Sequence, residues 1–202
     1  MDPAASRPWQ LLGDLDTAQS RPPAAVDDYA RALSRDPNNA RYERLLGSTL
    51  AQDSQPALAE SHLLRSISLQ ANESPWQYVA LGNLARGQVN YEVARAWYSK
   101  GLTYFPDDYW INFELGVLDI DTGDLESAYS VLLSCADRDP TVSEVQYYLG
   151  ETLLSLGRAG EAADRLNRAI RLNPQQPEYQ AALTRAETAE AQVSPATTRE
   201  PN

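Results

Sequence analysis

The side chains that could do chemistry are sparse. The chain has one histidine, His62, and one cysteine, Cys135. A zinc site draws on several His and Cys ligands at fixed spacing, so two single residues leave almost nothing for one. His62 sits within a helical pattern beside Glu60, Ser61 and Arg65, the setting of an exposed structural histidine rather than a base. Cys135 falls at a small-residue packing position, which predicts a buried thiol rather than a nucleophile. Pro106-Asp107-Asp108 reads as a turn and helix start, since two aspartates lack the other ligands of a calcium loop. The sequence holds no phosphate-binding loop, no Gly-x-Ser-x-Gly and no His-Glu-x-x-His. Neither catalysis nor a cofactor is expected.

Recognition remains, and charge bounds its kind. With 28 acidic against 17 basic residues the formal net charge is −11. Nucleic acid and anionic membranes both require a basic footprint, so neither is expected as a partner. A hydrophobic content of 43% suffices for a core, and no run approaches a membrane span, so no direct membrane insertion is expected. The first thirty residues carry Asp2, Asp14 and Asp16 and no apolar leader core. That favours a cytoplasmic location, with a periplasmic one if the chain is a processed fragment.

The elements that position any binding residue are repeated. Leu-Gly occurs at Leu12-Gly13, Leu46-Gly47, Leu81-Gly82, Leu115-Gly116 and Leu149-Gly150, giving glycine spacings of 34, 35, 34 and 34. Other residues keep step. Twelve after each glycine stands alanine (Ala25, Ala59, Ala94, Ala128, Ala162), and sixteen after it a large residue (Tyr29, Leu63, Tyr98, Leu132, Leu166). Twenty-four after it stands proline in four copies (Pro37, Pro106, Pro140, Pro174), with Ala71 the exception. A period in this range marks a stack of supersecondary units that cannot bury their apolar faces singly.

Each unit holds two helical patterns. In the fifth, Gln146, Leu149, Gly150 and Leu153 share one helix face, and Ala162, Leu166, Ala169 and Ile170 share another. Gly157 separates the two, and Asn173-Pro174 ends the second. The fourth unit breaks at Gly123, while Pro22-Pro23 and Pro56 suit first turns in the first two units. Ser74-Pro75-Trp76-Gln77 and Thr141-Val142-Ser143-Glu144 both fit the capping-box pattern. A mid-helix glycine costs about 1 kcal/mol relative to alanine. Five at one phase therefore predict a close approach of two helices.

These residues resemble the tetratricopeptide repeat, whose 34-residue unit carries Trp, Leu-Gly, Tyr, Ala, Phe or Tyr, Ala and Pro at set places. The first unit follows it with Trp9, Leu12-Gly13, Ala25, Tyr29, Ala32 and Pro37. The fifth follows it with Leu149-Gly150, Ala162, Leu166, Ala169 and Pro174. The resemblance implies an all-α, right-handed superhelical solenoid of antiparallel helix pairs. Residues 1–5 are then a loose N-terminus and 6–190 a single solenoid, with repeats starting at Ser6, Ala40, Pro75, Tyr109 and Ser143. A capping helix starts at Pro177, and 191–202 form a disordered tail or linker. The extra residue before Pro75, and Gly101 and Cys135 at places where alanine is usual, depart from the pattern. The joint at 72–74 is expected to be the softest, and helix regularity is in question around Gly101.

With the glycine as position 8, positions 4, 7, 8 and 11 of the first helix form its packed face. Positions 2, 5, 9 and 12 share another, more than a quarter-turn away. The resemblance implies that the latter, with 13, line a concave groove. The residues expected to bind the partner there are then Arg41, Arg44, Trp76, Val79, Asn83, Arg86, Trp110, Phe113, Val117, Ile120, Tyr147 and Glu151, within a groove that also takes in Arg7, Asp121 and Glu144. The inventory is basic at the N-terminal end, apolar and aromatic in the middle, and acidic at Asp121, Glu144 and Glu151. Groove exposure is expected for Phe113, although a rotated helix would place it in the core. For Trp76 and Trp110, facing the groove and covering the preceding repeat are equally open. The two-carboxylate clamp known in the family needs lysines and asparagines of which only Arg44 and Asn83 give an echo, so it is not expected.

The function expected is a protein-interaction scaffold or adaptor holding a partner peptide or protein segment with apolar anchors and some acidic residues. A second reading is a self-assembling homo-oligomer whose groove is filled by a neighbouring subunit. A third is a regulatory or docking domain of a larger enzyme or cell-envelope assembly protein.

Overall fold

A computed structural model describes residues 5–193, which form eleven α-helices. They are α1 (Arg7–Ala18), α2 (Pro22–Arg35), α3 (Ala40–Gln52), α4 (Pro56–Leu69), α5 (Trp76–Gly87) and α6 (Tyr91–Tyr104). There follow α7 (Tyr109–Thr122), α8 (Leu125–Arg138), α9 (Ser143–Ser155), α10 (Ala159–Leu172) and α11 (Pro177–Val193). No strand occurs among the described residues. The stretches expected as loose ends lie mostly outside those residues, and α11 runs to Val193, past the expected limit of 190. The chain divides into two compact units, Met1–Ile111 and Asn112–Asn202, with the division inside α7.

Within the first unit α1 packs on α2, α3 on α4 and α5 on α6; within the second α9 packs on α10. Consecutive pairs pack in turn, α2 on α3, α4 on α5, α8 on α9 and α10 on α11. Each pair is locked by its marker glycine. A methyl group at Gly13 would lie 2.6 Å from the Tyr29 ring, and one at Gly82 only 2.1 Å from the Tyr98 ring. At Gly47, Gly116 and Gly150 the intruded atom is the Cγ of Leu63, Leu132 or Leu166, at 2.8, 2.9 and 2.7 Å. Alanine twelve residues on is fully buried in every pair. The mid-helix glycines thus trade helix propensity for interhelical contact.

The turn inside each pair is also repeated. Ser20, Ser54, Val89, Gly123 and Gly157 each stand seven residues past a marker glycine, and all have positive φ. The next residue donates its amide five residues back, Arg21 to Asp16, Gln55 to Leu50, Asn90 to Ala85, Asp124 to Asp119 and Arg158 to Leu153, each at 2.9 Å. This is the Schellman closure, in which a left-handed residue lets the last carbonyls find donors. Glycine meets that requirement without strain in two repeats. Val89 meets it with a β-branched side chain at φ 60°, which is strained.

Some local expectations do not hold. Neither capping box forms. The Trp76 amide donates to Ser74 Oγ at 3.3 Å, but the Gln77 amide group turns back to the carbonyls of Gln70 and Ala71. Thr141 donates to Asp139 through both its amide and its hydroxyl. Asn39, Asp108 and Asp124 cap instead, accepting from Tyr42, Ile111 and Ser127. Gly101 does not disturb α6, which runs unbroken to Tyr104. A methyl group there would meet Ile111 at 2.7 Å and Tyr78 at 2.8 Å, so the glycine admits those two side chains. The inserted residue lies in the loop 70–75. That loop, the joint expected to be the softest, is held by Gln77, by the Tyr78 hydroxyl donating to Ala71 O at 2.9 Å, and by an Arg44–Glu73 pair.

Replacing Val89 by glycine should stabilise the chain by about 1 kcal/mol, because the strain is removed. Its side chain is 69% exposed and gives up little packing. A higher urea midpoint at unchanged slope would show this; a lower midpoint would show that the turn is unstrained.

Candidate partner-binding surface

On α3, α5 and α9 the packed face assigned from the repeat is the one buried. Glu43, Leu46, Gly47 and Leu50 are buried on α3, Tyr78, Leu81, Gly82 and Ala85 on α5, and Gln146, Leu149, Gly150 and Leu153 on α9. The face carrying the candidate binding residues is mixed, and each unit resolves it differently.

In the first unit α3 exposes Arg41. Arg44, three residues on, is not available in the same way. Its Nε donates to the Glu73 carboxylate at 2.7 Å, and the two side chains are only 14% and 13% exposed. The inserted residue of the second repeat therefore brings an acid onto the expected basic end and neutralises half of the Arg41–Arg44 pair. Asn83 accepts from the Tyr98 hydroxyl. The same geometry recurs in the first repeat, where the Tyr29 hydroxyl donates to Asp14 at 2.8 Å. Asn83 thus serves as the acceptor for a core tyrosine. Val79 is 4% exposed and belongs to the core, contrary to its expected groove position. Arg86 is half-buried.

The two tryptophans meet each other. The Trp76 and Trp110 rings lie 5.8 Å apart at 37°, and Tyr109 stands edge-on to Trp110 at 5.2 Å. Trp76 keeps 43% of its surface exposed and Trp110 is half-buried. Both occupy the second position of their repeats, in the first turns of α5 and α7. The result is an aromatic platform on which Trp76 remains exposed.

In the second unit Phe113 and Val117 are 6% and 3% exposed. The expected exposure of Phe113 does not hold, and its ring packs on Tyr148 at 5.6 Å. Ile120 is half-buried. Tyr147 stacks on Tyr179 of α11 with centroids 4.8 Å apart, and Glu151 accepts from Arg185 of α11 at 2.6 Å. The capping helix therefore engages both candidate residues of the fifth repeat. Sequence reasoning missed Glu73, Tyr179 and Arg185 as partners of candidate residues. The period slip signalled the first; nothing local signalled the others.

His62 is half-buried rather than exposed, and its Nδ1 lies 2.7 Å from the carboxylate of buried Glu43. Cys135 is buried as expected, and desolvation pushes its thiol up. Among the described residues no group of three or more His, Cys, Asp or Glu side chains could hold a metal ion. Among them, too, no helix is long and apolar enough to cross a membrane.

Two family models, both described as tetratricopeptide repeat, match residues 11–74 and 123–186. The chain belongs to the tetratricopeptide-repeat family. That membership agrees with the repeated glycine contact and turn, and places the chain among protein-interaction scaffolds in general. No curated protein matches the sequence. Solved structures with this repeat fold are similar at low identity. The thermophilic repeat protein TTC0263 of Thermus thermophilus is 18% identical, with a TM-score of 0.77 over 91% of this chain and 99% of its own. YrrB, a repeat protein with an unusual peptide-binding site, is 18% identical, with a TM-score of 0.61 over 88% of this chain and 91% of its own. A chain of the APC/C hetero-tetramer Cut9-Hcn1 is 17% identical, with a TM-score of 0.83 over 92% of this chain but 37% of its own.

The buried tyrosines give a pH dependence. Burial pushes the Tyr29 phenol from 10.0 up to about 12, with the Asp14 carboxylate acting in the same direction and Thr17 opposing. Burial also raises Tyr78, Tyr147 and Tyr179. A raised phenol pKa contributes stability that is intact below pH 10 and lost as pH climbs toward 12, because the unfolded chain releases its proton first. Urea midpoints should therefore fall across that window, and Tyr29→Phe should make the fall shallower. An unchanged slope in the variant would mean that Tyr29 ionises normally.

Proposed function

We propose that the chain is a protein-interaction scaffold that captures a partner segment on the Trp76–Trp110 platform. The observation that carries this reading is the pair of tryptophans in adjoining first turns, with Trp76 open to solvent. Aromatic side chains bury a large area at low entropy cost and dominate binding energetics where they are exposed. Exposed Arg41 stands at the same repeat position one unit earlier, so acidic residues of the ligand would lie toward α3. Arg44 contributes less than the sequence suggests, because Glu73 already satisfies it. The ligand is an extended or helical segment with at least one large apolar anchor and acidic residues on its Arg41 side. Val79, Phe113 and Val117 are buried, so none of the three is assigned to the ligand. No enzymatic role is proposed.

The test is selection from a displayed peptide library, followed by affinity measurement of the selected peptide. Trp76→Ala with Trp110→Ala should weaken binding roughly 30-fold, the scale of one hot spot. Arg41→Glu should weaken it less and flatten its dependence on salt, while Arg44→Gln should change it little. Equal affinities for wild type and the double tryptophan variant, with helicity intact, would remove the platform from the binding site.

A further inference from the structure

Helix α1 is apolar on a side that most of its counterparts keep covered. Leu11, Leu12 and Leu15 on α1 are 56%, 45% and 50% exposed. Pro8 and Ala18 are exposed as well, and the five residues are related by steps of three or four, which makes one stripe along the helix. Leu12 is the leucine of the Leu-Gly mark. Of its equivalents, Leu115 is half-buried, while Leu46, Leu81 and Leu149 are 4%, 2% and 0% exposed and Leu183 on α11 is 6% exposed. These last four lie on helices packed against the second helix of the preceding repeat, α2, α4, α8 or α10. Among the described residues α1 has no such neighbour. An exposed stripe of three leucines on one short helix is an interface signature.

We propose that this face is covered by the α1 helix of a second copy of the chain, the two helices running antiparallel about a two-fold axis. Charge selects this occupant. A chain of net charge −11 repels itself over most of its surface. Beside the stripe, however, both acids of α1 are already satisfied. Asp16 is paired with Arg21, and Asp14 accepts from Gln10 and Tyr29, each at 2.8 Å. The helix has no acidic residue in its first turn and no basic residue in its last. An antiparallel partner brings the exposed Arg7 of one copy to the negative C-terminal end of the other, a favourable placement made twice by symmetry. A head-to-tail arrangement has no such complement, since α11 exposes Gln180, Thr184, Glu187 and Thr188 rather than an apolar face. This contact is independent of the tryptophan platform.

Sedimentation equilibrium on the full chain at concentrations up to about 1 mM tests it. The wild type should reach twice the monomer mass, and Leu11→Glu with Leu15→Glu should remain monomeric at unchanged helicity. Glutamate is a good helix former and both sites face solvent, so folding is not at stake. The one native cysteine, Cys135, is buried. Leu12→Cys should therefore cross-link to its own copy under mild oxidation, while Ser99→Cys, exposed on α6, should not. A wild type monomeric throughout, or a dimer that survives the double glutamate variant, overturns the proposal. So does a monomer whose stripe becomes accessible to an apolar dye only after residues 194–202 are removed, which would assign the face to the chain's own terminus.

Discussion

Every described repeat rests on one contact, the approach of a second-helix side chain to the backbone of the first helix at a residue with no side chain. The intruder is a tyrosine ring in the first and third repeats and a leucine in the others. Nothing bulkier than hydrogen fits at the glycine, so the contact fixes how closely the two helices lie. It also fixes which first-helix residues turn inward. The fully buried alanines on the second helix complete the close face. The left-handed turn with its 2.9 Å closing bond returns the chain in the same register each time. Where the intruder is tyrosine, its hydroxyl needs a partner, and position 9 provides Asp14 or Asn83. A residue that looks like a ligand contact is in those repeats part of the same lock.

This explains why the frame was legible in sequence and the surface less so. Period, helix pairs, packed face and capping helix all follow from residues recurring at one phase. Phe113 and Val117 were harder because α7 is apolar on nearly all sides, with Ile111, Val117, Leu118 and Ile120 spread around it. Periodicity cannot choose the buried face of such a helix. Its nominal packed positions include Asn112 and Asp119, and the helix buries Ile111, Phe113, Val117 and Leu118 alongside Asp119.

The charged candidates failed to read for a different reason. Arg44 and Glu73 are 29 residues apart, and Glu151 and Arg185 are 34 apart. Those pairings are set by helix packing and by one inserted residue, not by local pattern. His62 is the same case, since its partner Glu43 lies on the neighbouring helix. What survives as surface is the pair of tryptophans, Arg41, and the uncovered leucines of α1. Each was visible as a residue type, and each acquired meaning only once its neighbours were placed.

The central claim is that the marker glycines are glycine because a side chain occupies their Cβ space. Helix α5 contains its own control, because Gly82 lies under Tyr98 whereas Gly87 has nothing within 4 Å of a built Cβ. Alanine at each site, compared by urea unfolding, tests the claim directly. Opposite signs are expected. Gly87→Ala should stabilise by up to about 1 kcal/mol through helix propensity, and Gly82→Ala should destabilise by about 1–3 kcal/mol through overpacking. Stabilisation at both sites would contradict it.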